Sequence, residues 1–477
     1  MKTAVWIRIM AIVFSAVLFL LFGVICFCLF RFWSTPSEDL RIPLEQTPLF
    51  SPPEIASAAL ETQLEKGTAS PSIEVKANWS QFRGDDRDGI CKDTTPLSFE
   101  APKRLWELPV GPGYAGAVIR NGCVYLIDHD EKLARDIVRC MSLDDGKDIW
   151  RFSWPVKILS DHGFTRTVPA VSDRYCIGMG PKGHVFCIDA KTGEKKWLID
   201  LVAKYKTVIP NWYAGQCVLL ETSKNGKETA IIAPAGDNVL LTAIDCETGK
   251  EVWTTRNPFK WKMTHSSVVR MTLDSKPTYI YCGSDGVCGI DAETGKLLWG
   301  TTAWKIVQAT CPSPVVLPNN RIFLCGGYAA GSVLLEVYRG DDGKYHSSVL
   351  NRLKESQFGS TQQTPVWYKD RLWGVGRGAG KFCCLDADAN VCWRSRTKTN
   401  FGDGPYLIAD DRIIALNDNG LLVVAKTNPD RWSPEKEIQI IEGHECWGPM
   451  AIAGGRLVLR SLDKIICENL NTKGAKP

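Results

Sequence analysis

The chain repeats one short sequence unit. It is clearest as Cys187–Trp197, and it returns as Ala243–Trp253 and Gly289–Trp299. A looser copy is Cys140–Trp150, and a shortened copy is Cys384–Trp393. A unit that recurs about every 45 residues indicates an array of small sheets rather than one layered core.

Within each unit an apolar run leads into Asp-x-x-Thr-Gly and then into a short run that ends in Trp. Asp and Thr side chains bond nearby backbone amides and Gly adopts positive φ, so the unit predicts a hairpin turn between two strands. The Trp then has a fixed place on the second strand, where its ring can pack between neighbouring sheets. The predicted structural docking residues are Trp106, Trp150, Trp197, Trp253, Trp299 and Trp393.

A second recurring sequence pattern predicts the number of sheets. Eight segments place small or Pro-flanked residues before an apolar run, and they begin at residues 114, 166, 212, 265, 311, 362, 402 and 446. The strand around Trp106 has no such opening, and the last opening has no closing Trp strand. We therefore expect the N-terminal strand to complete the C-terminal sheet, because ring closure removes exposed sheet edges. The predicted fold is all-β, an eight-bladed β-propeller of four-stranded antiparallel blades over residues 77–472, closed by the N-terminal strand and followed by a tail at 473–477.

The N-terminus predicts one transmembrane helix ahead of the propeller. Residues 9–30 carry no charged side chain and are numerous enough to cross a bilayer as a helix. We expect a signal anchor over residues 9–31, preceded by a cytosolic N-terminus at 1–8, since Lys2 and Arg8 precede the apolar run. A cleaved signal peptide is the alternative, but no small-x-small cleavage site follows the run. Residues 32–76 contain Pro- and Ser-rich stretches, which predict a flexible linker.

Charge and cysteine usage exclude several functions. The net charge is +4, from 57 basic and 53 acidic residues, so there is no electrostatic case for nucleic acid. Among the 18 cysteines, Cys140, Cys187 and Cys384 occupy the repeat position that is Ala243 and Gly289 elsewhere. Small buried strand residues suit that position, and equivalent positions in different blades exceed the roughly 7 Å limit between disulfide-bonded Cα atoms. The six histidines show no paired spacing, and no zinc site is predicted.

On these residues the chain resembles the pyrroloquinoline-quinone-like (PQQ-like) β-propeller repeat proteins, whose tryptophan-docking motif matches the repeated unit. The segment Trp79–Ile90 is similar to the N-terminal signature of membrane-anchored bacterial members. The resemblance spans the predicted propeller. It implies a single-pass protein whose propeller lies on the periplasmic side of a bacterial inner membrane. It does not define an activity, because this fold hosts quinoprotein dehydrogenases and structural scaffolds alike.

The family that the chain resembles includes dehydrogenases, and these bind PQQ and Ca²⁺ beside a disulfide between adjacent cysteines. Cys383 and Cys384 are adjacent, but they lie in a predicted strand, where neighbouring side chains point to opposite faces. Ca²⁺ needs six to eight oxygen ligands, and no segment matches the family's ligand set. The aspartates that recur belong to the hairpin turns: Asp189, Asp245, Asp291 and Asp386. We predict no catalytic residue, no metal and no cofactor, with a PQQ- and Ca²⁺-dependent dehydrogenase of an alcohol or sugar as the alternative function.

The residues that do not repeat predict the binding site. In a propeller the first strand of each blade lines the central channel, so the eight openings surround one mouth. Loops on a rigid scaffold are where binding residues concentrate. The polar and aromatic residues at the openings are Tyr114, Arg166, Trp212, His265, Gln362, Gln363, Asp403 and Trp447. We expect them to hold a protein partner or a small polar ligand, with solvated residues that bind nothing as the alternative. The predicted function is a membrane-anchored, extracytoplasmic binding or protein-interaction scaffold.

Overall fold

The computed structural model describes residues 60–159, 162–306, 308–377 and 380–471. In these residues the chain forms strands β1 to β34 and the short helix α1. Eight sheets stand in a ring, and the first strands of neighbouring sheets contact one another around the central channel. The fold is an all-β, eight-bladed propeller of four-stranded antiparallel blades, as the sequence predicts.

Consecutive strands build each blade from the channel outward. The first blade contains β4 (Val118–Arg120), β5 (Cys123–Asp130), β6 (Arg135–Ser142) and β7 (Asp148–Pro155). The second contains β8 (Ala170–Val171), β9 (Tyr175–Met179), β10 (His184–Asp189) and β11 (Lys195–Asp200). The third contains β12 (Leu219–Thr222), β13 (Glu228–Ile232), β14 (Val239–Asp245) and β15 (Glu251–Arg256). The fourth contains β16 (Val269–Leu273), β17 (Lys276–Gly283), β18 (Gly286–Asp291) and β19 (Leu297–Thr301).

The second half of the ring follows the same order. The fifth blade contains β20 (Val315–Leu317), β21 (Arg321–Gly326), β22 (Gly331–Arg339) and β23 (Tyr345–Leu353). The sixth contains β24 (Val366–Tyr368), β25 (Arg371–Gly376), β26 (Lys381–Leu385) and β27 (Val391–Arg394). The seventh contains β28 (Tyr406–Ala409), β29 (Arg412–Leu416), β30 (Leu421–Lys426) and β31 (Pro434–Gln439). The eighth contains β32 (Ala451–Ala453), β33 (Arg456–Arg460), β34 (Lys464–Asn469) and β3 (Lys103–Pro109).

The N-terminal strand closes the ring. β3 pairs antiparallel with β34, so that Trp106 lies opposite Cys467. The outer strand of the last blade therefore comes from a segment that precedes the first blade. This confirms the predicted closure, in which a strand without an opening completes a sheet without an outer strand.

Two further N-terminal strands extend the blades. β1 (Gln63–Lys66) pairs antiparallel with the outer edge of β7, and β2 (Ile90–Cys91) pairs parallel with the inner edge of β28. Within the flexible linker predicted over 32–76, Gln63–Lys66 instead form a strand, because they use the free edge of the first blade as a hydrogen-bonding partner. Composition alone does not reveal such an edge. Residues 32–59 lie outside the described residues.

The predicted cytosolic N-terminus at 1–8, the anchor at 9–31 and the tail at 473–477 also lie outside the described residues. Among the residues that are described, no helix combines the length and apolar character needed to span a bilayer. Helix α1 (Leu201–Tyr205) has a single turn, begins after β11 and is capped by the carboxylate of Asp200.

Tryptophan side chains join neighbouring blades at the base, the face that carries the turns between third and fourth strands. The indole Nε1 of Trp197 donates to the carbonyl oxygen of Cys246 in the next blade at 2.9 Å. A Cβ atom at Gly249 would lie 2.8 Å from Trp197 Cγ, and Gly249 has a φ of 70°. Trp150 donates in the same way to the carbonyl of Ala190 at 3.2 Å. The glycine of each such turn is therefore needed both for its backbone angle and for the ring that covers it.

The contact between a tryptophan and the turn of the next blade differs where the sequence of that turn differs. Trp299 is buried, and its Nε1 has no hydrogen-bond partner among the described residues. In the turn of the fifth blade, a Cβ atom at Gly343 would meet no atom within 4 Å. Trp393 donates instead to the carbonyls of Asn428 and Pro429, at 3.2 and 3.0 Å. The tryptophan recurs in each of the blades compared here, but the acceptor of its indole N–H group does not.

Candidate functional site

The loops before the first strands surround a cavity of about 350 Å³ at the mouth, the face opposite the base. The structure brings together all eight residues that the sequence singles out. Tyr114, Arg166, Trp212, His265, Gln362, Gln363, Asp403 and Trp447 all line this cavity. Their convergence follows from the ring, since each opening delivers its side chains to the same axis. Their role in binding stays a prediction.

One wall of the cavity joins the first and eighth blades. The rings of Tyr114 and Trp447 stack, with centroids 5.0 Å apart and planes at 30°. The Tyr114 hydroxyl donates to Glu445 at 2.7 Å, and Trp447 Nε1 donates to Asp418 at 2.7 Å. Burial, and next the hydrogen bond to Glu445, raise the pKa of Tyr114 above its usual range. Both rings are thus held in place before any ligand arrives.

A second aromatic pair stands on the side of the third and fifth blades. The rings of Trp212 and Tyr328 are almost parallel, at 11°, with centroids 6.3 Å apart. The guanidinium of Arg377 lies over the Tyr328 ring, 5.2 Å from its centroid. Trp212 and Tyr328 have φ values of 61° and 57°, a region that bulky side chains rarely adopt. Such backbone angles persist only where the surroundings impose them, and they concentrate at functional sites.

Polar groups connect the blades between these two walls. The side-chain amide of Gln363 donates to the carbonyls of Asp403 and Trp447, at 3.0 and 3.1 Å. Burial, and next the charge of Asp418, raise the pKa of Asp403, while the positive charge of Arg377 opposes the shift. Asp403 also donates its backbone amide to Asp418 at 2.9 Å. The cavity therefore holds a carboxylate and a guanidinium within one electrostatic environment.

His265 lies deeper in the cavity and is neutral at physiological pH. Burial, and next the charge of Arg166, lower its pKa to about 4, although the backbone of Asn211 and Tyr213 opposes the shift. A Cβ atom at Gly215 would lie 2.8 Å from the imidazole Cδ2, so only glycine leaves room for this ring. A neutral imidazole can donate and accept hydrogen bonds at once.

A belt of side-chain hydrogen bonds fixes the first strands below the mouth. In each case a backbone amide of one blade donates to a side chain of the next blade. The pairs are Val168 to Cys217 at 3.3 Å, Cys217 to Ser267 at 3.0 Å, Ser267 to Ser313 at 3.1 Å and Ser313 to Thr364 at 2.9 Å. These four hydrogen bonds join the second to the sixth blades, and the four amides are not free to bind a ligand.

The segment 79–92 crosses the channel and closes the cavity from below. Its Phe82 lines the cavity floor. Arg83 donates to the carbonyl of Pro365 in the sixth blade at 3.0 Å, and Arg87 donates to the carbonyl of Val218 in the third blade at 3.0 Å. Burial lowers the pKa of Arg87 to about 10. The mouth is therefore a closed-ended cavity rather than the opening of a through-channel.

Sequence reasoning missed three lining residues of note: Phe82, Tyr328 and Arg377. Tyr328 and Arg377 lie in the loops that join the second and third strands of their blades. Those loops reach the same face as the openings, because strand direction alternates within a blade. The topology could have identified the loops, but no repeated motif marks the residues in them.

Cys383 and Cys384 do not fit the disulfide between adjacent cysteines that the PQQ-dependent enzymes carry. No group of three or more His, Cys, Asp or Glu side chains is placed to hold a metal ion in the parts of the chain that the structure describes. Cys383 and Cys384 are buried in β26, the third strand of the sixth blade, and pack into different hydrophobic clusters on its two faces. Burial raises their pKa values to about 11 and about 12, so both are protonated thiols. No chemical step through the quinone follows from these residues.

Fold and cavity together define a β-propeller with a closed-ended mouth site. A family model described as outer membrane protein assembly factor BamB, of the PQQ-like repeat type, matches residues 134–386. That match covers more than half of the chain, and the chain belongs to this family. The resemblance to PQQ-like repeat propellers that the sequence indicates is confirmed at this level.

Three solved structures are similar to this chain at low sequence identity. BamB from Moraxella catarrhalis is 12% identical, with 77% of this chain and 100% of that chain covered and a TM-score of 0.48. The quinohemoprotein alcohol dehydrogenase ADHIIG from Pseudomonas putida HK5 is also 12% identical, with 83% and 81% covered and a TM-score of 0.42. The computationally designed Ika8 protein is 11% identical, with 76% and 99% covered and a TM-score of 0.46. No curated protein matches the chain.

Proposed function

We propose that this protein is a binding scaffold without catalytic residues, and that the mouth cavity is its recognition site. The observation that carries the proposal is the convergence of eight non-repeating polar and aromatic residues on one closed-ended cavity. The repeated Asp and Trp residues are used in turns and between blades. The residues that differ from blade to blade face the mouth, where they can recognise a ligand.

Rigidity supports recognition over the alternative of merely solvated residues. Gln363 spans three blades, and Tyr114 and Trp447 are held by hydrogen bonds to carboxylates. Side chains that are ordered in advance lose little entropy on binding. The cavity volume also lies at the lower end of the range of about 300 to 1,000 Å³ that is typical of ligand pockets.

The proposal includes a location. The uncharged run at 9–30 supports a signal anchor that holds the propeller on the periplasmic side of a bacterial inner membrane. The family description, an outer membrane protein assembly factor, is in keeping with a partner-binding role outside the cytosol. Replacing Leu18 and Leu20 by Lys should move the chain out of the carbonate-washed membrane fraction. Retention in the membrane would contradict the anchor.

Site-specific photo-crosslinking tests the recognition site. A photoreactive residue at Gln362 should give discrete adducts in native membranes, and the same residue at Lys250 on the base should not. Adding Trp447→Ala to the Gln362 derivative should remove the adducts, since it takes away one wall. The proposal fails if both positions give the same adducts, or if the mouth gives none.

A further inference from the structure

We propose that the first three blades carry, beside the mouth cavity, a surface that docks on an anionic lipid bilayer. This surface, which we call the lipid rim, consists of the outer parts of the mouth-side loops. They are residues 131–134, 156–159, 180–183, 206–209, 233–238 and 257–262. The lipid rim lies outside the recognition site proposed above, and it adds a second binding surface to the protein.

Contacts between these loops make the lipid rim one continuous surface. The backbone amide of Val156 donates to the carbonyl of Ala134 at 2.9 Å, which joins the two loops of the first blade. The Tyr213 hydroxyl, from the third blade, donates to the carbonyl of Leu159 at 2.7 Å. Lys182 of the second blade lies over the same tyrosine, with its Nζ 5.1 Å from the ring centroid. The three blades therefore present their loops side by side.

Exposed aliphatic side chains project from the lipid rim. Leu159 is 75% exposed, Leu133 is 66% exposed and Val208 is 53% exposed. A single exposed aliphatic residue is ordinary on a protein surface. Three on one side of one face, interspersed with lysines, are typical of segments that lie in the interface of a bilayer.

The charge of the lipid rim is positive, and it is complementary to anionic headgroups. Its loops carry two acidic residues, Glu131 and Asp237, and six lysines: Lys132, Lys157, Lys182, Lys206, Lys260 and Lys262. Lysines near an anionic membrane surface are attracted to it. The mouth-side loops of the seventh and eighth blades, at 417–420, 440–450 and 461–463, contain acidic residues and no lysine or arginine. Charge therefore selects the side of the first three blades for the membrane.

The course of the N-terminal segment points to the same side. Gln63 lies opposite Ser153 and Lys66 lies opposite Trp150, so β1 has its N-terminal end at the mouth side of β7. The carbonyl of Glu61 accepts a hydrogen bond from Arg135, next to the loop 131–134, at 3.3 Å. The chain before Glu61 thus leaves the propeller beside the lipid rim. The proposed signal anchor at 9–30 precedes this point by about 30 residues, which brings the lipid rim close to the membrane.

The test uses the full-length chain reconstituted into vesicles whose lipids carry bromine on their acyl chains as a quencher. The vesicles contain phosphatidylcholine alone or with phosphatidylglycerol. A fluorescent amino acid replaces Leu159 in one chain and Lys250, on the base, in another. With phosphatidylglycerol, the fluorescence at 159 should fall at least twofold and that at 250 should stay unchanged. Without the anionic lipid, or at high salt, the quenching at 159 should be lost, because the attraction is screened.

Substitutions separate the lipid rim from the rest of the surface. Replacing Lys132, Lys157 and Lys206 together by Glu should remove at least half of the quenching at 159. The matched control replaces three exposed lysines of the base turns by Glu, and it should change nothing: Lys191, Lys250 and Lys296.

A second pair of variants tests the aliphatic side chains. Leu133→Asp should weaken the quenching at 159. Ile73→Asp should not, because Ile73 is 90% exposed next to Ser72, which bonds to the base turn at Gly122. Circular dichroism of every variant checks that it is folded.

Three results would overturn the inference: no quenching at 159 with the anionic lipid, equal quenching at 159 and 250, or the same quenching in the two triple-lysine variants. If 159 is not quenched but a photoreactive residue there crosslinks to a protein, the surface binds a protein and the inference falls. The crosslinks from Gln362 report on the cavity alone, so the proposed recognition site can stand when the lipid rim does not.

Discussion

Two seams, as we call the packing interfaces between neighbouring blades, contain the same repeated tryptophan in different surroundings. One seam lies between the second and third blades, and the other lies between the fourth and fifth blades. Trp197 donates to the Cys246 carbonyl and covers Gly249. Trp299 has the same place in its blade, but its Nε1 is buried without a described partner and the turn beyond it leaves Gly343 uncovered. A repeated residue therefore contributes according to the neighbouring turn, and sequence similarity within one blade does not measure the strength of a seam.

The largest expected effect compares Gly249→Ala with Gly343→Ala. Both glycines have positive φ, 70° and 72°, so each variant bears the cost of a left-handed alanine, about 1–2 kcal/mol. Only at Gly249 does the added Cβ also collide with an indole, which adds about 1–3 kcal/mol of overpacking. We expect the free energy of unfolding to fall clearly further for Gly249→Ala, measured by urea denaturation. Equal losses would mean that the covered turn is no better packed than the open one.

The next effect compares Trp197→Phe with Trp299→Phe. Each substitution leaves a cavity, but only the first removes a hydrogen bond from a buried carbonyl, that of Cys246, which keeps the weaker donor Cys187 Sγ at 3.3 Å. The loss of one such hydrogen bond costs about 0.5–1.5 kcal/mol. Trp299→Phe removes a donor that has no described partner, so its loss should be smaller by about that amount. Thermal unfolding of the two variants against the parent chain measures the difference, and a larger loss at Trp299 would reverse the comparison.

The smallest effect concerns an exposed ion pair at the seam between the second and third blades. Glu247 accepts a hydrogen bond from Tyr175 and lies 3.1 Å from Lys196, and these two contacts, in that order, lower its pKa. A carboxyl whose pKa is lowered by folding adds stability above its ordinary pKa and loses it as the pH falls through the lowered value. Because the group is exposed, Glu247→Gln should cost less than about 1 kcal/mol at pH 7. The difference in melting temperature should vanish near pH 2 and shrink in 1 M salt; a difference that persists in acid would assign it to packing.

Much of the fold could be predicted because the repeat has a fixed period. The spacing of Trp197, Trp253 and Trp299 predicts separate blades, and the unpaired strand at Trp106 predicts the closure. The eight mouth residues could be predicted for the same reason, since position within a repeat determines the face on which a residue lies. Position within a repeat does not indicate what a residue binds.

The rest depends on contacts that no period encodes. Tyr328 and Arg377 reach the cavity from loops of irregular length, and Phe82 reaches it from a segment outside the repeats. β1 forms because β7 has a free edge, which only the assembled sheet reveals. Trp299 Nε1 lacks a partner among the described residues because of the turn in the next blade, so the sequence around Trp299 itself gives no sign of it.

The closure of the ring has a consequence for the order of events during synthesis. β3 leaves the ribosome early, yet its partner β34 is made about 360 residues later, as the sequence separation of 364 between Arg104 and Glu468 shows. At roughly 5–20 residues per second, the strand waits for about 20 to 70 s with both of its edges unpaired. Seven blades can form in that interval while the eighth cannot. A nascent chain of this protein therefore passes through a long period as an open ring, in which β3 and the apolar blade faces that pack on the eighth blade are exposed.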